Sequence, residues 1–227
     1  MMMKHGLSIL GATLAVGCST APEARHDMPG GVRYQVTFTP TWTAASHPLE
    51  YPKAGVLTGP HFSGVIGATH GSDWTLFKEG NLPSKGLEKL SEEGKHSPLD
   101  DEIRMAVRSG RAGEIFETDA IKDFSKPVTA NVTVDDKNPM VSLVAMIAPS
   151  PDWFAGADVN LMEGGQWAEA REIEVYAWDS GGDSGTTYEA SDADNSIKQP
   201  TMLNGSAHFT NDGRRVPVAR VVFRKLP

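Results

Sequence analysis

Residues 140–149, MVSLVAMIAP, carry a single polar side chain, Ser142, and end in proline. The run is too short to cross a bilayer. It has no polar alternation, so it reads as a strand buried on both faces. It leads directly into SPDWFAGADVNL at 150–161, which places an aspartate between proline and two large aromatics. A core strand that ends on a carboxylate is the first constraint on both the fold and the chemistry.

The flanking segments agree with a β architecture. RYQVTFTPTW alternates Tyr34, Val36 and Phe38 against polar partners, as a strand with one buried face does. Residues 44–60 read as a loop, and Phe62, Val65 and Ile66 as a short buried segment. Two short amphipathic helices are predicted within 82–110. The first spans 84–94, between a Ser84 cap and a Gly94 stop. The second spans 97–110, with Ser97 as cap, Pro98 at the first helical position, acids in the first turn, and Leu99, Ile103, Met105 and Val107 as apolar positions. From about residue 127 every segment reads as β. PVTANVTV alternates, AREIEVYAWD alternates Ile173, Val175 and Ala177 against polar residues, and RRVPVARVVFRKL closes the chain as a strand whose Pro217 suggests an edge or a bulge. Strands, a helical insertion, then more strands make the expected fold mainly β, an antiparallel sandwich over residues 32–227.

The formal net charge of −8 argues against a nucleic-acid partner. Cys18, the one cysteine, cannot form an internal disulfide. It ends the stretch MMMKHGLSILGATLAVGC, in which Lys4 supplies a positive start and Gly6 to Val16 a short apolar core, the layout of an export signal. LAVGC resembles the bacterial lipoprotein box. That resemblance implies residues 1–18 as signal, lipidation at Cys18, a polar tether over 19–31, and an exported chain anchored by lipid in the bacterial envelope, at the outer membrane by the pattern at Ser19. An ordinary secretory signal with an incidental cysteine is the alternative.

Asp152 follows the buried strand, Asp179 ends another, and WDSGGDSG brings Asp183 four residues later, among glycines that permit a tight loop. Like charges gathered on one rim repel unless a cation sits among them. Oxygen ligands on irregular loops suit calcium. Aspartates are also frequent in turns for their own backbone hydrogen bonds, and spacing alone does not decide between the two. An EF-hand starting at Asp192 is excluded, because Ile197 and Leu203 stand where glycine and glutamate are needed. Asp158 and Asp192 read as ordinary surface acids.

HFSGVIGATHG, SPDWFAGADVNL and VYAWDSGGDSGTTY, in that order, together with YQVTFTPTW and LEKLSEEG, resemble the spondin-N domain, found in F-spondin, mindin and many bacterial secreted proteins. The resemblance covers roughly residues 32–224. It implies an antiparallel β-sandwich of the calcium-binding type seen in membrane-targeting domains, with Ca²⁺ held by Asp152, Asp179 and Asp183. It also implies a non-enzymatic adhesion or binding module with an extracellular protein or glycan ligand. A structural envelope protein with purely stabilising calcium is the runner-up. GDSG at 182–185 also opens the trypsin-like nucleophile motif, and His70, Asp119 and Ser184 fall in chymotrypsin order, but Thr186 and Thr187 stand where that motif continues with glycine and proline. His61 and His70 read as structural histidines. Trp74, Trp153, Trp167 and Trp178 read as core or loop anchors.

Overall fold

A computed structural model describes residues 30–53 and 59–227 of the chain. The expected signal segment, Cys18 and the expected tether up to residue 29 lie outside the described residues. The elements in chain order are β1 (Val32–Pro40), β2 (His61–Phe62), β3 (Ile66–His70), α1 (Lys85–Glu93), α2 (Leu99–Arg108), β4 (Ala112–Glu117), β5 (Val128–Val134), β6 (Met140–Ala148), β7 (Trp153–Asn160), β8 (Met162–Glu163), β9 (Gln166–Trp167), β10 (Ala170–Asp179), β11 (Met202–Leu203), β12 (Thr210–Asn211), β13 (Arg214–Arg215) and β14 (Ala219–Lys225).

One antiparallel sheet runs β4-β3-β6-β7-β10-β14-β1-β5. Its two end strands come back beside each other, where the Thr133 N–H donates to Glu114 Oε2 at 2.6 Å. The sheet is thus nearly closed, a sandwich whose layers belong to one curled ladder, and a side chain rather than a backbone ladder joins its edges.

The unbroken apolarity of β6 follows from what lies on its two faces. Val141, Leu143, Ala145 and Ile147 point into the main core with Tyr34, Phe38, Val175 and Phe223. Val144 points the other way, into a second cluster built from Ile66, Phe154 and the helical residues Leu87, Leu90, Leu99 and Ile103. The helical insertion therefore lies over the outer face of β6, and every residue of that strand after Met140 is buried. Ser142, its one hydroxyl, is fully buried and accepts from the Leu76 N–H at 3.4 Å.

The start of α1 is as expected: the Ser84 hydroxyl accepts from the Leu87 N–H at 3.1 Å, and Gly94 ends the helix at φ 67°. The start of α2 differs. Pro98 occupies the cap position and Ser97 makes no capping bond; three acids in the first turn complement the helix dipole instead. Met105 is 57% exposed because the buried face of α2 runs Leu99, Ile103, Ala106, and position 105 lies off it.

Trp153 and Phe154, the first residues of β7, anchor the adjacent Asp152 turn to the two core clusters. Two further expectations change. RRVPVARVVFRKL is two strands, β13 and β14, broken at Pro217, and β14 lies in the middle of the sheet between β10 and β1. Pro217 has no N–H for a ladder, and its carbonyl accepts from the Thr41 hydroxyl at 2.8 Å. Residues 180–201 are almost entirely irregular, and β4 is an additional strand at 112–117.

Candidate functional site: an acidic rim at the ends of β6, β7 and β10

The turn from β6 to β7 is short, so Asp152 sits immediately before the first residue of β7. The β7–β10 register pairs Trp153 with Asp179, which puts the last residue of β10 beside the Asp152 turn. Consecutive strand residues face opposite sides. Trp153 enters the main core against Tyr188 and Phe209, at ring separations of 5.3 and 5.2 Å. Phe154 enters the helix-side cluster against Phe77 at 5.2 Å. The two aromatics thus clamp the turn from both sides of the sheet.

Asp152 is completely buried. Its Oδ2 accepts from the Ser180 hydroxyl at 2.9 Å and from the backbone N–H groups of Gly182 at 2.7 Å and Asp183 at 3.1 Å. Its other oxygen, Oδ1, is buried without any hydrogen-bond partner. Asp183 is also buried, with Oδ1 accepting from the Gly185 N–H at 2.5 Å and Oδ2 from the Ala193 N–H at 2.6 Å. Asp179, half-buried, accepts from the Gly181 N–H at 2.9 Å. That loop needs its glycines. Gly181 has φ 85°, and a Cβ there would lie 2.1 Å from the Gln199 carbonyl oxygen.

The electrostatics follow from this crowding. Burial, and then the neighbouring Asp152 charge, push the Asp179 carboxyl up to about 6; the Gly181 N–H and the nearby Trp153 indole, which makes no hydrogen bond of good geometry, work against that shift. Burial raises Asp152 as well, and the Asp183 charge adds to it, against the three donors. The three carboxylates singled out in the sequence therefore lie near enough to feel one another's charge, but their oxygens do not form a set in which all lie within 4.8 Å of one another.

The structure also brings in groups that the sequence reading left out. The segment after Tyr188 folds back over the rim, with the Asn195 N–H donating to the Gly182 carbonyl at 2.8 Å and an isolated bridge between Asp183 and Asp194. Asp192 and Asp194 thereby lie with Asp183 in a group whose carboxylate oxygens approach within 4.8 Å of one another. Asp192 is exposed, as expected, but belongs to the acidic group rather than to a neutral stretch of surface. From the helical side, Glu88 and Glu92 of α1 press against Gly182, where a Cβ would lie 2.7 Å from Glu92 Oε1. Glu88 pairs with Lys198 at 2.9 Å, and that ammonium also donates to the Gly182 carbonyl at 3.1 Å. The signal in the sequence was the i, i+4 spacing of Glu88 and Glu92, but only the fold shows which loop they meet.

Asp158 is not an ordinary surface acid either. Its Oδ2 accepts from the Thr75 hydroxyl at 2.7 Å, and its Oδ1 stands 3.5 Å from His70 Nε2. The His70, Asp119, Ser184 combination is not assembled. His70 pairs with Met140 at the start of β6, whereas Ser184 lies in the loop beyond its far end, a strand length of about 25 Å away. Ser184 donates to the Ala193 carbonyl at 3.1 Å, and Asp119 follows β4 at the Ile66 end of β3. His61 Nδ1 donates to the Gly59 carbonyl, 2.9 Å away.

The unsatisfied buried groups at this rim are carboxylate oxygens of Asp152 and Glu92, of the kind a hard cation takes, and the Trp153 indole N–H. A family model described as Spondin_N matches residues 32–214, which covers both helices, the whole rim and every strand of the main sheet except β14. The chain belongs to the Spondin_N family. Within curated proteins, this spondin-N chain is 30% identical to rat Spondin-2 over 86% of its own length and 62% of the relative's. It is 32% identical to human Spondin-2 over 70% and 48%, and 29% identical to Spondin-1 of Xenopus laevis over 87% and 25%. It therefore spans less than two thirds of the length of these relatives. Among the described residues no helix is long and apolar enough to cross a membrane.

Proposed function

We propose that this spondin-N chain is a calcium-dependent, non-enzymatic extracellular binding module, held at the bacterial envelope by a lipid on Cys18. Asp152, Asp179 and Asp183 hold the ion. The observation that carries the reading is the buried, unpartnered Oδ1 of Asp152. A fully buried carboxylate oxygen with no donor is costly, and the charges of Asp179 and Asp183 beside Asp152 add repulsion. A divalent cation removes both the lost hydrogen bond and the mutual repulsion. Calcium fits better than magnesium, because the donors lie on an irregular loop and do not impose a strict octahedron. When bound, calcium neutralises the rim and locks the 180–195 loop onto the sheet. The ligand of the module is an extracellular protein or glycan. A role in which calcium only stabilises an envelope protein is the second reading.

The tether is tested by fractionation. Cys18→Ser is expected to release the protein from membranes, since stable anchoring needs the apolar area of the acyl chains, about 0.8 kcal/mol per buried CH₂. Unchanged membrane association, or a mature N-terminus elsewhere, contradicts it. The calcium site is tested by calorimetry on the wild type and Asp179→Asn, with no heat of binding to the wild type as the contradicting result.

A further inference from the structure

Six residues after Asp152, on β7, Asp158 faces a different surface. The segment between β3 and α1 folds over the outer face of β6, β7 and β10 and leaves a cleft of about 370 Å³, lined by His70, Trp74, Thr75, Phe77, Asp158 and Trp178. That volume lies at the small end of the range for small-molecule sites.

The polar end of the cleft lacks a donor. The His70 side chain is only 1% exposed. Its Nδ1 lies 2.7 Å from the Gly71 carbonyl, which only accepts, so Nδ1 carries the hydrogen. In the neutral ring Nε2 is then a bare lone pair. It has no hydrogen-bond partner and faces Asp158 Oδ1 across 3.5 Å. Two acceptors therefore share one gap, and even a protonated ring at that separation falls short of a good N–H···O bond, about 2.7–3.2 Å. The other Asp158 oxygen is already occupied by Thr75, which fixes the carboxylate in place.

The apolar end is a rigid group of half-exposed rings. Trp74 meets His70 edge to face at 5.6 Å, and Phe77 meets Trp178 at 4.9 Å. The Trp178 indole is tied to the Gly156 carbonyl at 3.1 Å, and a Cβ on Gly156 would lie 2.8 Å from the Phe77 ring, so the absence of that atom lets the ring lie against the sheet. Exposed Ser72, Lys78 and Glu79 add donors and acceptors at the mouth.

We propose that this cleft is a carbohydrate-binding site, in which a sugar ring lies against the Trp74–Phe77–Trp178 group and its hydroxyls donate to His70 Nε2 and Asp158 Oδ1. A pyranose offers what the two ends require: a C–H face for the aromatic rings and adjacent O–H donors for the paired acceptors. A quaternary ammonium would suit the rings and the carboxylate, but it has no hydrogen to give the imidazole. The site names a ligand class for the binding module and does not depend on calcium, because its residues lie on the outer sheet face rather than the rim.

The test is saturation-transfer NMR and tryptophan fluorescence on the purified protein, with the methyl glycosides of glucose, galactose, mannose and N-acetylglucosamine and their disaccharides as probes, in calcium and in chelator. Methylammonium and tetramethylammonium chloride serve as competing probes. The expected result is saturable binding of at least one saccharide in both conditions, weakened tenfold or more by Trp74→Ala and by Asp158→Asn, and unchanged by Asp179→Asn. Asp158→Asn alters an exposed residue that retains an oxygen for Thr75, so its melting temperature reports whether the fold is intact. The proposal is overturned if no saccharide binds the folded protein, if the ammonium probes bind in the saccharides' place, or if saccharide binding requires calcium and is lost with Asp179→Asn while Asp158→Asn has no effect.

Discussion

Asp152 and Asp158 lie on one β-hairpin arm, six residues apart, and their surroundings are opposite. Asp152 is sealed from water and held by three donors on one oxygen, with nothing on the other. Asp158 is exposed, held by one hydroxyl, and faces a buried imidazole. More carboxylates surround the first; aromatic rings surround the second. The comparison shows how the demand left by unsatisfied groups specifies the ligand. Acceptors crowded by like charges call for a cation, whereas acceptors beside aromatic faces call for a neutral donor.

The largest effect that would break this contrast is the loss of Asp152. Asp152→Ala removes the acceptor for Ser180, Gly182 and Asp183 at once. Each stranded buried donor costs about 1 kcal/mol or more, so the fold is expected to lose about 3 kcal/mol even in chelator, measured by urea unfolding. A loss confined to calcium-containing buffer would mean that the turn is held by the metal and not by its hydrogen bonds. Next is the ion itself. Calcium at a hundredfold above its dissociation constant is expected to add about 2.7 kcal/mol to wild-type stability, with a weaker rescue by magnesium.

A smaller effect concerns charge at constant shape. Asp179→Asn is expected to lower calcium affinity about tenfold or more while the calcium-free fold survives. The same carboxyl sets the pH dependence. Its folded-state value of about 6 lies above the ordinary 3.8. In the metal-free protein this group therefore penalises the native state at pH 7, and that penalty is relieved as pH falls through 6 toward 3.8. Calcium requires the ionised form, so its affinity falls over the same window, by up to about tenfold per pH unit below 6. Metal-free stability that drops between pH 7 and 5 on account of Asp179 would reverse the sign. Smallest are the peripheral acids. Asp192→Asn and Asp194→Asn are each expected to weaken calcium about two- to fivefold, and less in high salt, because they act on the ion across exposed surface.

The sequence made the rim legible but not its depth. Asp152 and Asp179 stand out because each lies at the end of a core strand, and Asp183 because it follows Asp179 by four residues in a glycine-rich loop. Asp192 and Asp194 do not, because their nearness to Asp183 depends on a loop that returns over ten residues with no periodicity to read. The β6 strand was legible as buried on both faces. That its second face is covered by α1 and α2 required long-range packing of Leu87, Leu90, Leu99 and Ile103. The missing N–H of Pro217 suggests an edge or a bulge. The chain instead breaks there and begins a central strand two residues later. His70 and Asp158 were invisible as a pair because they are 88 residues apart and meet only through the register of β3, β6 and β7.

The central claim is that the buried rim is a specific calcium site and not a diffusely acidic surface. Isothermal titration of calcium into the wild type, Asp179→Asn and Asp158→Asn tests it in one experiment. One saturable site is expected in the wild type, with the same affinity in Asp158→Asn and at least a tenfold loss in Asp179→Asn. No binding to the wild type, or equal losses in both variants, would contradict it.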